Sequence, residues 1–97
     1  MPRFITRVEL YGEASEEDYN SLHKAMKSRG FSREIINEKG PAHILPTAMY
    51  HCIGIDLNID DVYAEAWGSA NSQWPRCAVL VVQVQDDLIR FNCLRTG

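Results

Sequence analysis

The sequence predicts an α+β domain in which two helices cover one face of an antiparallel sheet. Strand-like and helix-like patterns alternate along the 97 residues in the order β-α-β-β-α-β, followed by one more strand. The segment Cys77–Val84 is rich in β-branched residues and apolar on both faces, which is typical of a buried strand. This order is that of a ferredoxin-like split βαββαβ sandwich with an additional C-terminal strand. The length predicts that residues 1–97 form a single domain.

The N-terminal third of the chain predicts a strand and then a helix. Residues 4–11 alternate between an apolar face and a mixed face, as a half-buried strand does. Ser15 followed three residues later by Asp18 predicts a helix N-cap, and apolar residues recur at helical spacing around Leu22. Gly30 predicts the left-handed residue that follows the helix.

The next segment predicts a hairpin. Residues 31–37 read as a strand, residues 38–41 as its loop, and residues 42–55 as the returning strand. Pro46 lies in the returning strand and has no backbone N–H to donate. Its position therefore predicts a sheet edge, a bulge, or a break between two strand pieces.

The second helix has the clearest periodicity in the chain. Asn58 is its expected N-cap, and Gly68 lowers its stability by about 1 kcal/mol relative to alanine. We expect Tyr50 and Trp67 to lie in the core and Trp74 at the surface. The apolar positions that repeat at helical spacing are Ile59, Val62, Tyr63, Ala66, Trp67 and Ala70.

The strand Cys77–Val84 is expected at a sheet edge, where the helices cover only one of its faces. Its second face is apolar too and so requires another cover. A second copy of the chain is the simplest one, with residues 88–94 pairing across the dimer or folding back locally. The sequence thus predicts a symmetric homodimer. The residues of one face are Cys77, Val79 and Val81, and those of the other are Ala78, Leu80, Val82 and Val84.

Charge and hydropathy limit the partners. The net charge of −3 disfavours indiscriminate nucleic-acid binding. Residues 1–40 carry seven basic and seven acidic side chains, whereas residues 41–97 carry three and six, so an anion-binding surface is expected on the first half. No apolar run approaches the roughly 18 residues of a membrane helix, so we expect no membrane partner. The start of the chain leads directly into a strand rather than a secretory signal, which predicts a cytoplasmic protein.

The sequence predicts neither a metal site nor a cofactor. Cys52, Cys77 and Cys93 lie in apolar strand-like stretches without CxxC spacing, so we expect buried, reduced thiols. His43 and His51 are eight residues apart, and neither has a second ligand at a useful spacing. No glycine-rich phosphate loop or nucleophile–base set is recognisable, which disfavours nucleotide-triphosphate and acyl-transfer chemistry.

Two groups of side chains could carry chemistry. His23 lies at the margin of the first helix's buried stripe, where it either packs its ring or acts as a proton-transfer or RNA-contacting group. Arg3, Arg7 and Arg33 lie on strands that can flank one another. They form either a solvated face or a phosphate-binding row.

Three segments carry a family resemblance. Residues 22–32 read Leu-His-Lys-Ala-Met-Lys-Ser-Arg-Gly-Phe-Ser, Glu38-x-Gly40 follows, and residues 45–50 read Leu-Pro-Thr-Ala-Met-Tyr. With these motifs the chain, from residue 3 to residue 94, resembles the GhoS-type family, small bacterial proteins typified by the endoribonuclease antitoxin of a type V toxin–antitoxin pair. The resemblance implies a ferredoxin-like homodimer that cleaves a toxin messenger RNA sequence-selectively and without a metal ion. Alignment of Met26 and Phe31 places His23 where the typical member has an arginine.

Two functional hypotheses follow, and they leave open whether the protein is an enzyme. The first is an RNA-cleaving, antitoxin-like protein in which His23 transfers a proton or contacts phosphate, and Arg7, Arg29 and Arg33 contact phosphate. The second is a non-catalytic homodimeric module of phage or mobile-element origin that binds another protein, as the doubly apolar strand indicates. A small-ligand sensor that uses the sheet face is a third, weaker interpretation. A neighbouring gene for a short membrane peptide favours the first hypothesis, and phage structural neighbours favour the second.

Overall fold

The computed structural model describes residues 2–36, 42–85 and 94–95, which form two helices and antiparallel strands. The predicted α+β class is confirmed. In this part of the chain neither helix combines the length and the apolar character that crossing a membrane requires. The elements in chain order are β1 (Arg3–Leu10), α1 (Glu16–Ser28), β2 (Glu34–Ile36), β3 (Ala42–Ile44), β4 (Met49–Ile53), α2 (Ile59–Gln73), β5 (Cys77–Val84) and β6 (Leu94–Arg95).

The strands form two three-stranded sheets with the orders β4-β1-β5 and β2-β3-β6. β1 is the central strand of the first sheet, with β5 at one edge as predicted. A single bridge joins the chain just before β2 to β4, where the Ser32 N–H donates to the His51 carbonyl at 2.8 Å and the reverse bond is 2.7 Å. This arrangement is compatible with the predicted ferredoxin-like fold. The predicted loop at 38–41 lies outside the described residues.

The last strand is described at Leu94–Arg95, where it pairs with β3 of the same chain. This short piece therefore folds back locally. The rest of the strand predicted at 88–94 lies outside the described residues, as does Cys93.

The helix ends follow the local sequence signals. The Ser15 side chain accepts the Asp18 N–H at 3.2 Å, and the Ser15 N–H donates to the Asp18 carboxylate at 2.8 Å, so the predicted N-cap is confirmed and forms a capping box. At α2 the Asn58 side-chain oxygen accepts the Asp61 N–H at 2.9 Å. Gly30 has a φ of 90°, the left-handed conformation predicted after α1.

Pro46 separates the predicted returning strand into two pieces, β3 and β4. The turn after it places Ala48 at a φ of 68°, and the Met49 N–H donates to the Pro46 carbonyl at 3.0 Å. Of the three alternatives that the proline allowed, the structure shows the break between two strands. This break lets β3 join the second sheet while β4 stays beside β1.

The core lies between the first sheet and the two helices. Strand alternation points every second residue of β1 toward the helices, and α1 contributes its apolar stripe. Cys52 is buried there and Cys77 is half-buried; burial raises the pKa of the Cys52 thiol to about 11 and also raises that of Cys77. The fully buried hydrophobic residues of this cluster are Phe4, Val8, Leu22, Met26, Tyr50, Ala66 and Ala70.

The expectation that Trp67 is a core residue is wrong. α2 buries Val62, Ala66 and Ala70, and Trp67 is turned about 100° around the helix from Ala66 at the middle of this row. Trp67 lies on the flank of the helix and is 40% exposed. Trp74, expected at the surface, is half-buried against the core, and its indole N–H donates to the Tyr11 carbonyl at 2.8 Å.

The other face of the first sheet is partly open. Cys77, Val79 and Val81 of β5 pack against the core as predicted, whereas Leu80 and Val82 on the opposite face are 62% and 43% exposed. We call this side, defined by Leu80, Val82 and the neighbouring Ile5, Arg7 and Ile53, the open face. Arg3 and His51 point to the same side of the sheet by strand alternation, but both are buried. The open face is thus apolar mainly along β5.

Two glycines are expected to respond in opposite ways to substitution by alanine. Gly30→Ala forces a side chain into the left-handed region and should lower the free energy of unfolding by about 1–2 kcal/mol. Gly68→Ala adds a Cβ that meets the Arg29 guanidinium at an ordinary 3.6 Å inside α2, so it should raise stability by up to about 1 kcal/mol. Urea denaturation of both variants measures the difference. Equal effects, or the reverse order, would contradict these backbone assignments.

Candidate functional site

A groove of about 470 Å³ lies between the C-terminal half of α1 and the segment that leads into β2. The turn at Gly30 builds it: Phe31 enters the core, Ser32 bridges to β4, and Arg33 returns toward α1. The groove is therefore a direct consequence of how α1 ends. Its lining residues are His23, Lys24, Lys27, Gly30, Phe31, Ser32, Arg33, Glu34 and Ile44.

Positive charge dominates this groove. Lys24 and Lys27 are exposed at its rim, and Arg33 is half-buried. Among the described residues that line it, Glu34 is the one acidic side chain. The local charge is thus opposite to the net charge of −3 of the whole chain. Such a site attracts anions, and phosphate oxygens suit clustered lysine and arginine donors.

His23 is held at the groove by a buried tyrosine. The Nδ1 atom of His23 lies 2.6 Å from the Oη of Tyr50, and the two rings meet edge to face with centroids 5.7 Å apart. Tyr50 is completely buried on β4, whereas His23 is half-buried. This contact fixes the orientation of the imidazole relative to the groove.

The environment keeps both rings uncharged. Burial, and then the nearby positive charge of Arg33, lower the pKa of His23 below its ordinary value. Burial raises the pKa of Tyr50 far above its ordinary value, although the charge of Arg33 acts in the opposite direction. At neutral pH the pair is therefore a neutral imidazole and a neutral phenol.

Arg33 presents an unsatisfied donor. Its Nε atom is buried, and it has no hydrogen-bond partner among the described residues. A buried donor without an acceptor costs about 1–3 kcal/mol, and more for a charged group. The guanidinium can bind two oxygens of one phosphate at once.

Of the four predicted site residues, His23 and Arg33 both line the groove. The other two, Arg29 and Arg7, lie outside it. Arg29 pairs with Glu65 of α2 at 3.0 Å, with both side chains about half exposed. Arg7 alternates with core residues of β1 and so lies exposed on the open face, across the sheet from the groove. Of the two alternatives left open for Arg3, Arg7 and Arg33, the phosphate-binding row is therefore not formed, since Arg7 and Arg33 lie on different sides of the sheet.

Sequence reasoning missed three residues of the site. Lys24 and Lys27 are three positions apart, and His23 and Lys27 four apart, so helical spacing alone places them on one side of α1. That signal was present in the sequence. Tyr50 is 27 residues from His23, and only the packing of α1 on β4 makes it a neighbour.

Neither a metal-ligand cluster in the described residues nor a similar known protein adds to the description of this site. Within residues 2–36, 42–85 and 94–95, no three His, Cys, Asp or Glu side chains cluster as a metal-ligand set. Comparisons with protein-family models, with curated proteins and with solved structures find no significant match to this chain. The functional interpretation therefore depends on the chemistry of the groove.

The lowered pKa of His23 predicts a specific loss of stability in acid. Because the unfolded imidazole binds a proton near pH 6.5 and the folded one at a lower pH, its contribution is complete above about 6.5 and declines as the pH falls below that value. Urea denaturation of the wild type and of His23→Gln at about pH 8 and about pH 5 isolates this contribution. We expect the wild type to lose more stability than the variant between the two conditions. Equal losses would show that His23 titrates normally.

Proposed function

We propose that the groove binds the phosphate backbone of RNA and that the chain is a GhoS-like, RNA-cleaving antitoxin. The observation that supports binding is the convergence of Lys24, Lys27 and Arg33 beside His23. Phosphate contacts from basic side chains supply most of the affinity of RNA-binding proteins. The local excess of positive charge on an acidic protein favours a defined anion site over binding spread across the surface.

The dimensions of the groove agree with this ligand class. A volume of about 470 Å³ falls in the range of about 300–1,000 Å³ that small-molecule sites occupy, which is enough for part of one nucleotide. Arg33 lines it with a half-buried guanidinium, and the two lysines line it with exposed cations. This combination suits one tightly held phosphate with neighbouring phosphates held loosely.

The proposal includes a ferredoxin-like topology. The bridge between Ser32 and His51 brings the chain before β2 next to β4. We infer from this contact that the two sheets join into one sheet of order β5-β1-β4-β2. A split βαββαβ sandwich has this order. In such a sheet the groove opens beside β2, at the end of α1.

Cleavage is the part of the proposal that derives from the GhoS resemblance. RNA can be cleaved without a metal ion when its 2′-hydroxyl attacks the adjacent phosphate, and this reaction needs proton transfer and stabilisation of the phosphate charge. Arg33 is placed for the second task. His23 lines the same groove, and the role expected for it is either proton transfer or contact with the phosphate.

Removal of Arg33's charge is expected to weaken RNA binding. Arg33→Gln should raise the Kd for a labelled single-stranded RNA by about tenfold and reduce its salt dependence by about 0.7 in log–log slope, since one phosphate contact is lost. Fluorescence anisotropy at several salt concentrations measures both quantities. Arg29→Gln is the matched control: it removes the same charge from an exposed ion pair outside the groove, and we expect less than about a twofold change.

The same preparation tests cleavage. Labelled RNA is incubated with purified wild type and with His23→Ala, each with and without a chelator. Cleavage by the wild type that survives chelation and is lost in the variant supports the enzyme. RNA as intact as in a buffer control rejects cleavage, and equal binding by Arg33→Gln and Arg29→Gln rejects the groove as the binding site.

The open face favours a second candidate function, a homodimeric module. Leu80, Val82 and Ile53 are large apolar side chains with 62%, 43% and 42% exposure on one side of the sheet. In the described part of the chain, β5 pairs with β1 along one edge, and its eight residues carry no charge and no proline. A second copy packed against this side would cover the exposed apolar side chains of both copies, as expected for the homodimer.

The dimer is tested by one substitution on this face. Leu80→Glu introduces a charge into the proposed contact and should convert a dimer into a monomer in sedimentation velocity at tens of micromolar protein. Tyr63→Glu, at a 48% exposed position on α2, controls for the added charge and should leave the dimer intact. A monomeric wild type, or an equal effect of both variants, would contradict this candidate.

A further inference from the structure

The buried hydroxyl of Tyr50 determines which nitrogen of His23 carries the proton. Tyr50 is completely buried, and His23 Nδ1 at 2.6 Å is the hydrogen-bond partner that the described residues offer to its Oη. A phenol must donate its hydrogen to an acceptor, and a buried donor left unpaired costs about 1–3 kcal/mol. The hydroxyl therefore donates to Nδ1.

This direction of donation fixes the tautomer. A neutral imidazole has one N–H and one acceptor nitrogen, so an Nδ1 that accepts from Tyr50 leaves the proton on Nε2. In the opposite tautomer Nδ1 carries a hydrogen. That hydrogen and the phenolic hydrogen would then both point into the contact between Nδ1 and Oη, or the phenolic hydrogen would point where the described residues offer no acceptor. Free imidazole populates both tautomers; the Tyr50 contact favours one.

The protonated nitrogen is accessible from the groove. His23 lines the groove, and its Nε2 is not among the buried polar atoms without a partner. Within the described residues its ring makes one hydrogen bond, through Nδ1, so Nε2–H is left to solvent or ligand. The charged groups that share the groove with it are Lys24, Lys27, Arg33 and Glu34.

We propose that Tyr50 is a positioning residue that holds His23 in the Nε2–H tautomer, so that the imidazole acts as a neutral hydrogen-bond donor to a phosphate oxygen in the groove. The ligand role rests on the proposed RNA binding, whereas the tautomer does not. The fixed donor extends the row of donors supplied by Arg33 and the lysines. It also distinguishes the two roles expected for His23: Nε2 in this state contacts phosphate and cannot accept a proton from a ribose hydroxyl.

Nuclear magnetic resonance of the free protein tests the tautomer directly. Long-range ¹H–¹⁵N correlation of the histidine rings, with His23→Gln used to assign the signals, should show His23 at pH near 8 as a single Nε2–H form with an unprotonated Nδ1. Tyr50→Phe should convert it to a mixture, while the control Tyr19→Phe should not. A protonated Nδ1 or a mixture in the wild type overturns the proposal, even if Tyr50→Phe fails to fold.

RNA binding by two His23 variants tests the donor role. The amide N–H of Gln can replace Nε2–H as a donor but cannot exchange a proton near neutral pH, whereas Ala removes the donor. We expect His23→Gln to bind within about threefold of the wild type and His23→Ala about tenfold more weakly, as for loss of one charge-assisted hydrogen bond. Equal weakening by both variants overturns the donor role. A wild type that does not bind RNA rejects the proposed function and leaves the tautomer result standing.

Discussion

The fold depends on one constraint, namely that two helices cover only one face of the first sheet. β1 is buried on the helix side at every second residue, and α1 and α2 pack there through Met26, Ala66 and Ala70. The opposite side receives less cover, so Leu80 remains largely exposed. Both candidate surfaces follow from this arrangement. The groove forms where α1 ends over the sheet, and the open face forms where no helix lies.

Burial has two effects in the groove, one on the protonation of His23 and one on the hydrogen bonding of Arg33. Burial keeps His23 neutral, and the neighbouring guanidinium of Arg33 adds to that effect. The same burial leaves the Arg33 Nε without an acceptor among the described residues. A phosphate that enters the groove meets the Arg33 guanidinium and His23, whose ring is already held by Tyr50. Preorganised donors of this kind reduce the entropy that binding must overcome.

The open face and the groove lie on opposite sides of the sheet, so the two candidate functions are compatible. A dimer built along β5 would leave the α1 end of each copy accessible, since the groove lies beside β2 and away from β5. Two grooves on one dimer could engage one RNA, and the linked sites would bind more tightly than one alone. Arg7, which is exposed among the apolar residues of the open face, belongs to the dimer surface in this arrangement.

Local signals allowed much of the fold to be predicted, and non-local packing accounts for what was missed. Caps at Ser15 and Asn58, the left-handed Gly30 and the break at Pro46 each depend on a few neighbouring residues, and each is present. Trp67 was misplaced because the apolar stripe of α2 is wider than its buried side, and Trp67 lies at the margin of that stripe.

The site was harder to predict than the fold. The sequence identified His23 and Arg33 as candidates but could not separate them from Arg7 and Arg29. Arg7 faces away from the groove because of its position in β1, and Arg29 is held by an ion pair with Glu65 of α2. Tyr50 was expected in the core, and its position was correct. Its hydrogen bond to His23 joins residues distant in sequence, for which the sequence has no local pattern.

The central claim is that RNA binds on the helix side of the sheet, in the groove beside the end of α1. Titration of ¹⁵N-labelled protein with a short single-stranded RNA, followed by amide and side-chain chemical shifts, tests it most directly. Binding in the groove predicts shifts concentrated at Lys24, Lys27 and Arg33. Shifts concentrated at Leu80 and Val82 on the open face, or no shifts at all, would contradict it.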